Sequence, residues 1–379
     1  MHRIYLDWNA TAPVLPEVRD AMVEALDEVP GNASSVHQDG QRARATVEQA
    51  RRAVASAVGA AGQGVVLTGG ATESNNQVLE SHVRRTENPT IVCTAVEHPS
   101  VLEVVERLGG RGVEVDVCPV DERGRLDLDW LEERLADGVT LVSAMWANNE
   151  VGNVYPVDEI AELTDEYGTI LHVDATQAFG RIPVDFDACG ADVMTLSFHK
   201  MGGPKGIGAT VLEEGHKVEA FMAGGHQERG RRPGTENVPA AAGLEKAADI
   251  VDERGGAWTE TLEAKRETFR EALEANVETF EHRGDPEARI PNTLNIAFPG
   301  VDGEDFLLAL DLEGVSASSG SACTAGSLEP SHVIEAMGFD HDDARRSVRF
   351  SFGPATSEDD LVAAAERIGR VADRLAQLP

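Results

Sequence analysis

Between residues 65 and 212 the chain repeats one pattern: a short β-branched run, a polar or glycine-rich break, then a segment of helical periodicity. The β-rich runs fall at 65–68, 91–95, 113–117, 140–144, 170–173, 193–197 and 208–212, with helical segments at 72–85, 100–108, 128–136 and 157–167. Strands that alternate with helices pair mostly in parallel and bury both faces, so the pattern predicts an α/β fold with a doubly wound, mostly parallel seven-stranded sheet flanked by helices. A strand at 4–7 and helices at 16–28 and 39–58 precede it. A helical stretch over 239–276 follows, with a break expected at Gly255-Gly256. Beyond it, strand and helix alternate on a smaller scale at 293–298, 304–311, 331–337, 348–352 and 358–375. We therefore expect a large domain, 14–255, and a smaller α/β C-terminal domain, 256–379, joined by residues 1–13.

Open α/β sheets gather ligands at the carboxyl ends of their strands, so the residues just past each run matter most. The run Val193-Met-Thr-Leu-Ser197 ends in Phe198-His199-Lys200 and turns through Met201-Gly-Gly-Pro-Lys-Gly-Ile-Gly208. Lysine is rare here: only Lys200, Lys205, Lys217, Lys246 and Lys265 occur, and arginine supplies the other positive charges. A desolvated lysine can act as a neutral amine, as imine chemistry with a carbonyl cofactor requires, whereas arginine cannot. Lys205 reads as a turn residue. Upstream, Thr68-Gly-Gly-Ala-Thr-Glu-Ser74 joins a strand to a helix and offers backbone N–H groups and the Thr72 hydroxyl to an anion. His172-Val-Asp174-Ala-Thr-Gln177 puts a carboxylate at a strand end, where it can keep a pyridine nitrogen protonated. Each feature alone also serves ordinary structural ends, as a turn, a helix cap or a surface lysine. In succession, anion cradle, pyridine partner and imine lysine describe a pyridoxal 5'-phosphate (PLP) site.

Charge narrows the partners. With 66 Asp+Glu against 33 Lys+Arg the formal charge is −33, which opposes direct binding to nucleic acid or to an anionic membrane. So large an acidic surplus suits a concentrated salt interior, where screening acts over ~3 Å at ~1 M, and the sequence is expected to come from a halophile. The opening residues lack the apolar core of a signal peptide and no uncharged apolar run reaches the ~18 residues of a spanning helix, so a soluble, cytoplasmic protein is expected. Cys93, Cys118, Cys189 and Cys323 show no paired spacing, which argues against a disulfide framework or a structural metal site.

Ala71-Thr-Glu, Glu97-His-Pro, Asn148-Asn-Glu-Val-Gly, His172-Val-Asp-Ala-Thr-Gln, Ser-Phe-His-Lys200 and Ser318-Ser-Gly-Ser-Ala-Cys-Thr together resemble the cysteine desulfurases of the NifS/IscS type. The likeness runs from Leu6-Asp-Trp-Asn-Ala-Thr-Ala-Pro to Ser347-Val-Arg-Phe-Ser-Phe-Gly. It implies a fold-type I PLP transferase of the class V aminotransferase superfamily, a homodimer that converts L-cysteine to L-alanine and retains sulfur as a persulfide.

By the same resemblance Lys200 links to PLP, Asp174 contacts the pyridine nitrogen, His98 stacks on the ring and Gln177 bonds its phenolic oxygen. Ala71, Thr72, Ser197 and His199 hold the phosphate, with Thr235 reaching in from the partner subunit. Arg349 clamps the substrate carboxylate with Asn149 and Asn32 beside it, and Cys323 takes the sulfur for an acceptor protein, an iron–sulfur scaffold or a tRNA-thiolation protein. The chain departs from the family pattern at Phe198, usually glycine, at Pro233, usually serine, and at Met201-Gly-Gly. A selenocysteine lyase or an aminotransferase on the same scaffold is the alternative.

Overall fold

The computed structural model describes residues 2–62, 64–319 and 330–376, so Cys323 lies outside the described residues. In chain order the first half contains β1 (Ile4–Tyr5), α1 (Pro16–Glu28), α2 (Gln38–Ala57), β2 (Val66–Thr68), α3 (Ala71–Arg85), β3 (Thr90–Thr94), α4 (Pro99–Gly109), β4 (Glu114–Cys118), α5 (Leu128–Leu135), β5 (Leu141–Met145), α6 (Val157–Tyr167) and β6 (Ile170–Asp174). The second half contains β7 (Val193–Ser197), β8 (Gly208–Leu212), α7 (Val238–Asn276), β9 (Glu281–Arg283), β10 (Thr293–Ala297), α8 (Gly303–Leu312), β11 (Val315–Ser316), α9 (His332–Ala336), α10 (His341–Arg345), β12 (Ser347–Ser351) and α11 (Glu358–Ala376).

Seven strands form the large sheet in the order β2-β8-β7-β6-β5-β3-β4. Only β8 runs against its neighbours, pairing antiparallel with both β2 and β7. This is the predicted doubly wound sheet. Its register matters for the site: Met145 pairs with Asp174, and Asp174 with Thr195, so β5, β6 and β7 release their polar residues along one edge. The inner strands are buried on both faces because helices cover both, whereas the edge strand β4, Glu114-Val-Asp-Val-Cys118, is buried only at Cys118. β5, β7 and β8 are buried throughout.

A second core lies apart from this one. It draws Ile4, Leu6, Trp8 and Ala12 from the start of the chain together with Leu262, Phe269, Phe350, Phe352 and the buried face of α11. Around it the three-stranded antiparallel sheet β12-β10-β9 and the parallel pair β1-β11 form. Phe269 meets Phe350 and Phe352 edge-on, with centroids 5.7 and 6.2 Å apart. β9, β11 and α10 escaped the sequence pattern. They are two to five residues long, and β9 is Glu281-His-Arg283, a charged strand at the edge of its sheet.

The expected break at Gly255-Gly256 does not occur: α7 is one helix of 39 residues. Glycine there costs ~1 kcal/mol against alanine, but contacts with α1, α2 and α11 hold the helix on either side. Tertiary packing overrides the local preference. A β-carbon at Gly256 would meet nothing within 4 Å. Gly256→Ala is therefore expected to stabilise the protein by ~0.5–1 kcal/mol, seen as a higher denaturant midpoint at unchanged slope. A lower midpoint would mean that residue 256 is not helical.

Candidate active site

Lys200 ends a single 3₁₀ turn, Phe198–Lys200, that follows β7 directly. Its Nζ donates to the backbone oxygens of Asn9 at 2.6 Å and Ala10 at 2.9 Å. The N-terminal segment thus lies across the lysine. Arg181, itself buried, donates from Nη2 to the Lys200 carbonyl at 3.1 Å and from Nη1 to the Gln177 carbonyl at 2.8 Å. It fixes two residues of the site by their backbones.

Asp174 closes β6 and is buried. Its Oδ2 accepts from Asn75 Nδ2 at 2.8 Å and its Oδ1 from the Thr176 backbone N–H at 3.0 Å. Asn75, four residues into α3, also accepts from Thr195 Oγ1 at 2.6 Å and donates to Ser100 Oγ at 2.9 Å. The carboxylate therefore has a fixed direction. His98 caps α4, and its Nδ1 accepts from the Ser100 backbone N–H at 3.0 Å. A nitrogen that accepts carries no proton, so the neutral ring has its hydrogen on Nε2. Burial pushes the His98 pKa down, Asp174 pulls it back up, and Lys200 lowers it further.

The anion cradle is built by β2, α3 and β7 together. Gly70, the residue before α3, has φ +139° and ψ 174° and supplies no side-chain cap, so the first amides of α3 face outward. Glu73 accepts from the Gly69 N–H at 2.9 Å and pairs with Arg232 at 2.8 Å, which anchors the turn. His199 approaches Thr11 Oγ1 at 3.1 Å. Burial, then the charges of Lys200, Lys205, Arg181 and His98, push its pKa down to about 4, so at neutral pH it is an uncharged hydrogen-bonding ring.

Ala71, Thr72, His98, Asn149, Asp174, Gln177, Ser197, His199 and Lys200 all line one cavity of about 480 Å³. Three other expected residues do not. Asn32 is exposed, its Oδ1 accepting from the Ser34 N–H, and Thr235 is exposed outside the cavity of its own chain. Arg349 is buried on β12 and reaches the site through Asn149, donating from Nη1 to its carbonyl at 2.9 Å, while Nη2 pairs with Asp7 at 2.7 Å. Lys205, read from sequence as a turn residue only, lines the cavity as well. Phe198 does not: it is buried against Phe179, ring centroids 5.7 Å apart, and faces the core.

The cavity fits a polar aromatic ligand. Gln177 Oε1 and Thr176 Oγ1 are buried and lack hydrogen-bond partners among the described residues, and each such vacancy costs ~1–3 kcal/mol. Gln177 Nε2 is held by the Asn9 carbonyl at 3.1 Å, so the amide turns its acceptor oxygen outward, suited to a protonated hydroxyl. One end of the cavity gathers N–H and hydroxyl donors for an anion, the other an oriented carboxylate beside a lysine. PLP has that polarity.

Sequence reasoning missed Asn75, Arg181 and the role of Asn9 and Ala10. Asn75 could have been found, since it lies one helical turn past the cradle on the same face of α3. Asn9 and Ala10 act through backbone carbonyls, which carry no side-chain signal.

Residues 4–363 match the aminotransferase class-V family. Over 367 residues the chain is 44% identical to the cysteine desulfurase of Sinorhizobium fredii, covering 95% of this chain and 94% of that protein. It is 41% identical over 367 residues to the cysteine desulfurase NifS of Azotobacter vinelandii, with 95% and 90% covered. A solved structure described as a NifS-like protein superposes with a TM-score of 0.92 at 32% identity, covering 98% of this chain and 100% of that one.

Beneath His98, Glu97 is wholly buried, its Oε1 accepting from Thr94 Oγ1 at 2.8 Å and the Met145 N–H at 2.7 Å. Its Oε2 has no partner among the described residues. Burial pushes this carboxyl up from 4.5 to about 8, so between those values the fold keeps a proton that the unfolded chain releases. Its stabilisation is complete below the lower value and lost as pH rises through the upper. The unfolding free energy of the wild type is expected to fall relative to Glu97→Gln across that window and level off above it. A difference independent of pH would show Glu97 ionised in the fold.

Proposed function

The chain belongs to the cysteine desulfurases of the aminotransferase class-V family, and from that premise we propose how its residues divide the reaction. The enzyme is PLP-dependent and acts on L-cysteine, passing sulfur to acceptor proteins. Lys200 is the residue to which PLP attaches, Asp174 keeps the pyridine nitrogen protonated, and His98 covers the ring. Ala71, Thr72, Ser197 and His199 receive the phosphate, and Gln177 and Asn149 bound the ring edge. The observation that carries this reading is the convergence of Lys200, Asp174, His98 and the α3 cradle on one cavity at the carboxyl edge of the sheet.

PLP, when bound, is an electron sink for negative charge at the substrate α-carbon. With the cofactor in place Lys200 Nζ would take the substrate α-proton, and the Asn9 and Ala10 carbonyls orient the lysine amine. Arg349 holds the substrate carboxylate, a task suited to its fork, with Asn149 beside it and Asn32 contributing from its loop. The Cys323 thiolate then attacks the substrate sulfur. The new S–S bond replaces the Cβ–S bond, whose electron pair stays with the substrate carbons, and one proton added at Cβ together with one returned to Cα by Lys200 gives alanine.

Cys323 is the nucleophile by chemistry as well as by resemblance. Cys93, Cys118 and Cys189 are buried, and burial pushes each thiol up, Cys118 to about 12. Such thiols are poor nucleophiles. On either side of Cys323 the chain is tied to the site. Ser318 bonds the Arg349 backbone at 2.6 and 3.2 Å, Ser331 Oγ donates to Glu150 at 2.5 Å, and His332 Nε2 contacts the Glu97 carbonyl at 2.9 Å.

The protein is a cytoplasmic homodimer, with Thr235 serving the partner's phosphate site. It divides into 14–255 and 256–379, the latter joined by 1–13, as the two cores suggest even though α7 crosses the boundary. Its acceptor is an iron–sulfur scaffold or a tRNA-thiolation protein. Among the described residues no helix is long and apolar enough to cross a membrane.

Two measurements test these statements. After incubation with L-cysteine, trapped persulfide is expected on Cys323 by mass spectrometry, and Cys323→Ser should lose desulfuration on the order of a hundredfold or more while keeping the bound-cofactor absorbance. Persulfide on Cys93 or Cys189 would refute the assignment. For halophily, the unfolding midpoint should rise from dilute buffer to ~1 M salt as repulsion is screened; no rise would refute it.

A further inference from the structure

The turn from β7 to β8 brings a second lysine to the cradle. Gly208, the first residue of β8, pairs with Ser197 on one side and Thr68 on the other. A β-carbon there would lie 2.6 Å from Gly70 Cα and 2.6 Å from the Leu196 oxygen. Only glycine permits that approach, and it locks the end of the turn against the residue that opens α3. Three positions earlier, Lys205 and Gly206 line the same cavity as Gly69, Gly70, Thr72 and Ser197.

Lys205 is exposed, and no ion pair or hydrogen bond engages its side chain among the described residues. Its field reaches the cavity, since it is one of the charges that keep His199 unprotonated. The rest of the cradle offers neutral donors: α3 amides, the Thr72 and Ser197 hydroxyls and the His199 ring. The cations nearest the cradle are already engaged: Arg232 pairs with Glu73 at 2.8 Å, and Lys200 Nζ donates to the Asn9 and Ala10 carbonyls.

We propose that Lys205 is a further cofactor-binding residue, a point charge on a flexible stem that engages the phosphate of PLP from the solvent side of the cradle. This rests on the reading of residues 69–72 and 197–199 as the phosphate site. The group is exposed, so the attraction is screened and worth a modest factor.

Apo-protein titrated with PLP and with pyridoxal, which lacks the phosphate, tests it by spectroscopic affinity alone. Lys205→Gln is expected to weaken PLP roughly three- to tenfold and leave pyridoxal unchanged, Lys205→Arg to restore PLP binding, and the gap to narrow at ~1 M salt. Equal weakening of both ligands, or none, overturns the proposal while the phosphate site stands. A wild type that does not prefer PLP to pyridoxal overturns the phosphate site, and this inference with it.

Discussion

Residues 7–12 are the constraint on which the rest of the site depends. Trp8 and Ala12 bury their side chains in the small core, yet the polar atoms between them work in the large domain's cavity. Asn9 alone accepts from Lys200 and Gln177 through its carbonyl and donates from Nδ2 to the Asn149 carbonyl and Thr293 Oγ1. Asp7 holds Arg349, and Thr11 meets His199. The residues proposed for cofactor and for substrate carboxylate are thus tied to one short strap. Because it is anchored by apolar burial at one end and hydrogen bonds at the other, a shift in the small core would be felt at the lysine.

Around that strap the cavity is kept low in net charge by burial. His98 and His199 are held neutral, and Glu97 keeps its proton. Arg181 is the exception: it is buried without a carboxylate partner among the described residues, and burial with the nearby Arg349 pushes its pKa down to about 9. Its bonds to the Gln177 and Lys200 carbonyls compensate in part, since charge-assisted hydrogen bonds are the stronger kind. Neutral walls make the few directed charges, Asp174 at one end and the helix amides at the other, decisive for how a dipolar ring would lie.

Much of this was legible in the sequence because strand ends are. Alternating β-branched runs located all seven strands of the large sheet, and the polar residues closing them, Asp174, Ser197 and Lys200, are the ones the register brings together. Three things were not legible. The continuity of α7 through two glycines depends on partners distant in sequence. The place of Lys205 depends on the close contact of Gly208 with Gly70, invisible until two strands are paired. Asn9 and Ala10 contribute carbonyls, which every residue has. Asn32, Thr235 and Arg349 show the converse, residues whose motif places them in the site while the cavity of a single chain does not include them among its lining.

The central claim is that the lysine closing β7 carries the cofactor. Borohydride reduction of the PLP-loaded protein, followed by peptide mapping, reads this directly, and with five lysines in the chain the answer is unambiguous. A single reduced cofactor adduct is expected, on Lys200. An adduct on Lys205, or on any of the other three, would contradict it.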